Sequence, residues 1–170
     1  MIGNFKQKSI ERHYDKLIEK NVISNNRGGK IKTVAVILDN ASLENVITSN
    51  LSSKLFFNKK DITFLVYRKF SKKDKAMDKF FSEKEIGYKG SLKSDNLKKF
   101  VKNDYDLLIN YTKESNLYTN IITLHSQSKL KAGFADIDDK LFDIVVKDPT
   151  YNEAVLNQEL KKYLTILNKI

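Results

Sequence analysis

Three groups of residues have the types and spacing to do chemistry. Asp39 and Asn40, with Ser42 just beyond, could coordinate a cation or orient a hydroxyl. The amides around Ser42, at a helix start, could receive a phosphate. Arg68 with Lys69, and Asn110 with Thr112, Lys113 and Glu114, each end a run that reads as a strand. Open α/β sheets bind ligands beyond the carboxyl ends of their strands. Asp39, Asn40, Ser42, Arg68, Asn110 and Lys113 therefore form a candidate ligand site. The plainer alternative is that Asp39, Asn40 and Ser42 only turn and cap the chain. In the third group, Gly87, Tyr88, Lys89 and Gly90 place an aromatic ring and a cation on a glycine-framed loop, which suits single-stranded nucleic acid.

That last loop resembles the Gly-x-x-Gly clamp of KH domains, which grips a few nucleotides of a single strand. Its flanks allow a βααβ order: strand 62–67, helix 72–85, helix 95–102 and strand 106–111. The competing reading is a basic connector, because paired glycines most often mark a loop.

Other chemistries are excluded. The chain has no cysteine, which removes disulfides, thiolate nucleophiles and Cys-based metal sites. Its two histidines, His13 and His125, have no carboxylates at ligand spacing, so neither makes a zinc site. Arg27-Gly28-Gly29-Lys30 precedes the first strand, whereas a phosphate loop must follow a strand and open a helix. No Gly-x-Ser-x-Gly elbow is present. Asp136, Asp138 and Asp139 lack the glycine and glutamate of a calcium loop. No catalytic set, metal site or cofactor is expected.

Charge is unevenly spread over the 170 residues, whose formal net charge is +10. Residues 54–102 hold 15 basic and 6 acidic groups, and residues 103–170 hold 8 and 10. Only Arg12, Arg27 and Arg68 are arginines. Readers of phosphates and base edges usually favour arginine for its bidentate fork, so the lysine excess reads first as a solvated face and second as a polyanion or RNA site. No apolar run approaches the ~20 residues of a membrane span. Met1 to Lys20 lacks the apolar core of a signal peptide, and a cytoplasmic location is the expectation.

The elements that must position these residues follow from periodicity. Asn4–Glu19 reads as an amphipathic helix through Phe5, Ile10, Tyr14, Leu17 and Ile18. Asn25 to Gly29 is a connector. Ile31–Leu38 is a strand buried on both faces, as in a parallel sheet. A helix capped by Ser42 runs to about Phe56, and Ile62–Tyr67 is a second strand. A helix over 72–85 rests on Met77, Phe80 and Phe81. Asp95–Lys102 is a helix under a Ser94 cap, and Asp106–Tyr111 is a strand. A helix opens at Ser115 or Asn116, and strands follow at Lys129–Phe134 and Phe142–Lys147. A terminal helix from Asn152 to about Asn168 is buried through Val155, Leu156, Leu160, Tyr163, Leu164 and Leu167. The alternation predicts a single three-layer α/β/α, Rossmann-like domain over 26–170, with a mostly parallel sheet of about five strands and an N-terminal helix within 1–25.

The runs DYDLLINY at 104–111, KAGF at 131–134 and FDIVVKDP at 142–149 resemble an uncharacterised bacterial family of unknown function. A remoter likeness is to the N-terminal half of heptosyltransferase-type glycosyltransferases, carried by Asp106–Asn110 and Ala132-Gly133-Phe134. That likeness implies a nucleotide-sugar chemistry whose second domain would not fit in this length. The leading expectation is a non-catalytic α/β domain that binds a protein partner or itself. A nucleotide- or sugar-nucleotide-binding transferase-like domain is the second, and single-stranded RNA binding through 54–102 is the third.

Overall fold

The computed structural model describes residues 2–21 and 28–170. Most of the Asn25 to Gly29 connector, with Arg27, lies outside the described residues. Helix α1 (Ile2–Ile18) comes first, followed by β1 (Val34–Leu38), α2 (Glu44–Lys54), β2 (Ile62–Tyr67) and β3 (Phe80–Phe81). Then come α3 (Asp95–Lys102), β4 (Leu107–Asn110), α4 (Leu117–His125) and β5 (Leu130–Phe134). Helix α5 (Ala135–Asp138), β6 (Ile144–Val146) and α6 (Glu153–Ile166) complete the chain.

All strand pairings are parallel, in the order β3-β2-β1-β4-β5-β6. The sheet has six strands rather than about five. β1 and β4, at its centre, are buried at every residue, which explains the apolar runs Val34–Leu38 and Leu107–Ile109. Helices α2 and α6 pack together on one side, while α1 and α3 both pack on α4. Ile10, Tyr14 and Ile18 of α1 belong to the same buried cluster as the strands. No helix among the described residues is long and apolar enough to cross a membrane.

The region 72–85 is not a helix. Residues 71–79 are irregular, Phe80–Phe81 forms β3, and Glu83–Glu85 is a 3₁₀ turn held by a Ser82–Glu85 capping box. The edge of β2 takes this segment as a partner: Val66 N–H donates to Lys79 O, and Arg68 N–H donates to Phe81 O. Three apolar residues among many lysines make too thin a stripe for a helix, whereas two adjacent phenylalanines suit a short strand. In α6 the buried residues are Leu156, Asn157, Leu160 and Leu164, and Val155 and Tyr163 face solvent. Successive turns bury only one stripe, and these two lie on its flank. Asn40, not Ser42, caps the chain after β1: its Oδ1 accepts from the Ser42 N–H at 3.0 Å at the start of a 3₁₀ turn, Ala41–Leu43.

Asp106 ties three strand starts together at the amino edge of the sheet. Its carboxylate accepts from the N–H groups of Lys32 at 2.8 Å and Thr33 at 3.0 Å, just ahead of β1. The Lys129 ammonium, ahead of β5, donates to it at 2.7 Å. Burial alone would raise this carboxyl; the Lys129 ammonium and the two backbone donors outweigh that and hold it at about 2. The interaction therefore stabilises the fold fully above pH ~4 and is lost as the pH falls towards 2. Asp106→Asn should cost about 2 kcal/mol at neutral pH, and the difference from wild type should shrink as the pH drops through that window. Urea unfolding at both ends of the window checks this; a pH-independent difference would rule out the carboxylate charge as the cause.

Candidate functional site

In this strand order the topological switch point lies between β1 and β4, whose crossovers leave in opposite directions. Asp39 and Asn40 follow β1, and Thr112, Lys113 and Glu114 follow β4, so the fold brings these five residues to one edge. Asp39 is close enough to Lys113 and Glu114 to respond to their charges. Burial among the loop atoms raises its carboxyl from the ordinary value; Glu114 adds to the rise, and Lys113 opposes it.

Most polar groups here are already partnered. Asn40 Oδ1 accepts from both the N–H and the hydroxyl of Ser42, at 3.0 and 2.7 Å. Asn110 is fully buried: its amide donates to Thr123 Oγ1 at 3.1 Å, and its oxygen accepts from the Thr112 N–H and hydroxyl. It clamps β4 to α4. The Lys113 ammonium pairs with Glu153 at 3.0 Å on the first turn of α6. Tyr111, buried at the end of β4, donates its hydroxyl to Asn157. Glu44, in the first turn of α2, pairs with Lys79 at 2.9 Å. Lys113 and Lys79 thus offset Glu153 and Glu44, which leaves Asp39 and Glu114 as the carboxylates of this edge outside an ion pair among the described residues.

Arg68 does not join this group. Its guanidinium lies 4.1 Å over the Phe80 ring and donates to Lys75 O at 2.6 Å, with Asp74 at 3.6 Å. It fastens the irregular segment 69–79 against β3. A cavity of about 330 Å³ lies beneath that segment, lined in part by Phe70, Met77, Phe80, Phe81 and Lys84.

The Gly87–Gly90 loop does not form a clamp of the KH kind, because the helix before it is missing and its amides are engaged. Gly87 N–H donates to Ser91 O at 2.7 Å, Gly90 N–H to Gly87 O at 3.2 Å, and Lys89 N–H to Ser9 Oγ at 3.0 Å on α1. Gly90 has a φ of +69°, and a Cβ there would lie 3.0 Å from the His13 ring and 3.5 Å from His125 Nε2. The two histidine rings stack at 5.8 Å between α1 and α4. Two residues far apart in sequence meet here, and no local pattern announces the pairing. Tyr88 remains 54% exposed.

A second cavity, of about 610 Å³, opens at the opposite, amino edge, where Lys129, Lys131, Ser126 and Ser128 contribute to its wall. Burial lowers the Lys131 ammonium to about 8, against the pull of Asp143, and its Nζ donates to Leu124 O at 3.2 Å. These groups close the α4 carboxyl end and β5 start. Among the described residues no cluster of three or more His, Asp or Glu side chains could hold a metal ion.

The chain belongs to the DUF6913 family, a family of unknown function, which matches residues 6–167. No curated protein and no solved structure matches it.

Two measurements test the seat of the glycine loop. Gly90→Ala should destabilise the protein by about 1–3 kcal/mol, from the left-handed backbone and the crowded histidine rings; a melting temperature equal to wild type would show that the loop lifts freely. His125 is held below 6.5 by burial first, then by the His13 and Lys131 charges. Both folded and unfolded forms are neutral above that pH. As the pH falls below it the unfolded chain gains the proton first, so stability should decline. His125→Phe should flatten the decline between pH 7 and 5 in a series of thermal melts, and an equal slope in both proteins would remove His125 as its source.

Proposed function

We propose that this chain is a non-catalytic α/β domain that acts by binding a protein partner. The observation that carries the reading is one group of exposed large apolar side chains; others, such as Phe56, Tyr163 and Ile166, lie on or beside α2 and α6. Phe70, Met77 and Tyr88 all stand on the connection from β2 to α3, and Phe5 stands on α1, against which that connection is seated. Clustered exposed apolar groups mark interaction sites more often than chance. The strand-end edge offers less, since most of its polar side chains are paired within the fold.

The competing reading, a nucleotide- or sugar-nucleotide-binding transferase-like domain, is favoured by one observation, the strand order. The same order carries dinucleotides in many enzymes. There, however, a glycine-rich turn opens the first helix, whereas Asp39, Asn40 and Glu44 occupy the equivalent stretch here.

A thermal-shift panel decides between them. Nucleotides, nucleotide sugars and divalent cations, each at saturating concentration, should leave the melting temperature unchanged. A ligand at 100 times its dissociation constant would add about 2.7 kcal/mol. A shift with any nucleotide that persists in moderate salt and disappears in Asp39→Ala would overturn the interaction reading.

A further inference from the structure

Building on the interaction reading, we infer that the groove beneath residues 69–79 receives an acidic protein segment, which inserts one apolar side chain between Phe70, Met77 and the Phe80–Phe81 edge strand. Three features of the groove support this.

The first is that the groove is built and held. Arg68 bonds the carbonyl of Lys75 and stacks on Phe80. From the other side, Asn96 on α3 donates its amide to Asp78 O. The segment is thereby fixed over the β3 edge at two points, and the cavity of about 330 Å³ beneath it is present before any partner arrives. A preformed groove spares a partner the ordering cost of making one.

The second is its charge. Lys69, Lys72, Lys73 and Lys75 line the rim-forming segment, and all four are exposed. None is joined to an acidic group by an ion pair among the described residues. Of the acids at the groove, Asp74 faces Arg68, the Glu85 carboxylate accepts from Ser82, and Glu83 accepts from the Phe70 N–H at 3.1 Å, while Asp78 is exposed; with Lys69, Lys72, Lys73, Lys75 and Lys79 against Asp74 and Asp78, the segment 69–79 is net positive. Lys84 and Lys93 stand near α1, where burial first, then Lys93 and Lys84 against the opposing Glu83, lowers the Lys6 ammonium from its ordinary value. An apolar floor inside a lysine rim complements acidic residues flanking a hydrophobic anchor.

The third decides against single-stranded RNA. Binding of that kind rests on open aromatic faces on which bases stack. Arg68 already lies over the Phe80 ring, and the Lys84 ammonium sits 4.8 Å over Phe70. The Phe70 and Phe80 rings each carry a cation of the chain itself and Phe81 is buried, which leaves a slot for a side chain rather than a platform for bases. Met77, 52% exposed at the mouth, is the kind of adaptable apolar contact that accepts varied aliphatic groups.

The test uses the full chain and short fluorescein-labelled peptides rich in Glu and Asp, one with a single central leucine and one with serine in its place. Fluorescence anisotropy should show the leucine peptide binding more tightly than the serine peptide, with both weakened by salt. Affinity for the leucine peptide should fall roughly tenfold or more in Lys72→Glu/Lys73→Glu/Lys75→Glu, and likewise in Met77→Asp. All four positions are exposed, so both variants should melt close to wild type, which separates lost binding from lost folding. Equal binding of the two peptides would overturn the groove as an anchor site, and so would tighter binding of oligouridine than of either peptide. No peptide binding, with the nucleotide panel also silent, would overturn the acidic-segment inference and leave the interaction reading standing.

Discussion

A parallel sheet has no hairpins to set its register, so something else must fix where each strand begins. In this protein the Asp106 carboxylate does that for the centre of the sheet. It draws in the backbone N–H groups just before β1 and the ammonium just before β5, while sitting at the start of β4 itself. A one-residue slip of any of these strands would break that convergence and turn its side chains to the opposite face. The rest follows from this alignment: β1 and β4 lie flush, their carboxyl ends meet at the switch point, and the helices that leave them go to opposite faces.

The weak side of the sheet is its β3 edge. Only two residues pair there, and the chain from β2 to α3 has to cover a long distance without a helix to fill it. The fold handles this with side-chain ties: Arg68 to Lys75 O, Asn96 to Asp78 O, and the Ser82–Glu85 box. An edge rich in lysine also resists pairing with another strand. The same ties that close the edge leave a groove beneath it, so the devices that protect the edge also shape that surface.

Strand order and site chemistry point in different directions. The order β3-β2-β1-β4-β5-β6 is the one used by dinucleotide-binding domains, yet the first turn carries carboxylates where those domains carry glycines. A fold supplies positions, and the residues at them supply function. Asn110 illustrates the distinction: its position at the end of a central strand suggests a ligand contact, but Thr112 and Thr123 absorb its hydrogen bonds.

What the sequence determined by itself is the class of fold and the core of nearly every element. Apolar runs such as Val34–Leu38 and Leu107–Ile109 can only be covered on both faces, and Ser94 and Asn152 cap their helices by local hydrogen bonds. These are short-range effects, legible in neighbouring residues. The segment 72–85 was not legible, because β3 exists only through the open edge of β2. The pairing of His13 with His125, the seat of Gly90 against them and the turning inward of Asn110 were equally hidden. Each depends on groups brought together by the sheet from distant parts of the chain, and for such contacts tertiary structure alone decides which polar atoms are spent and which are left for a partner.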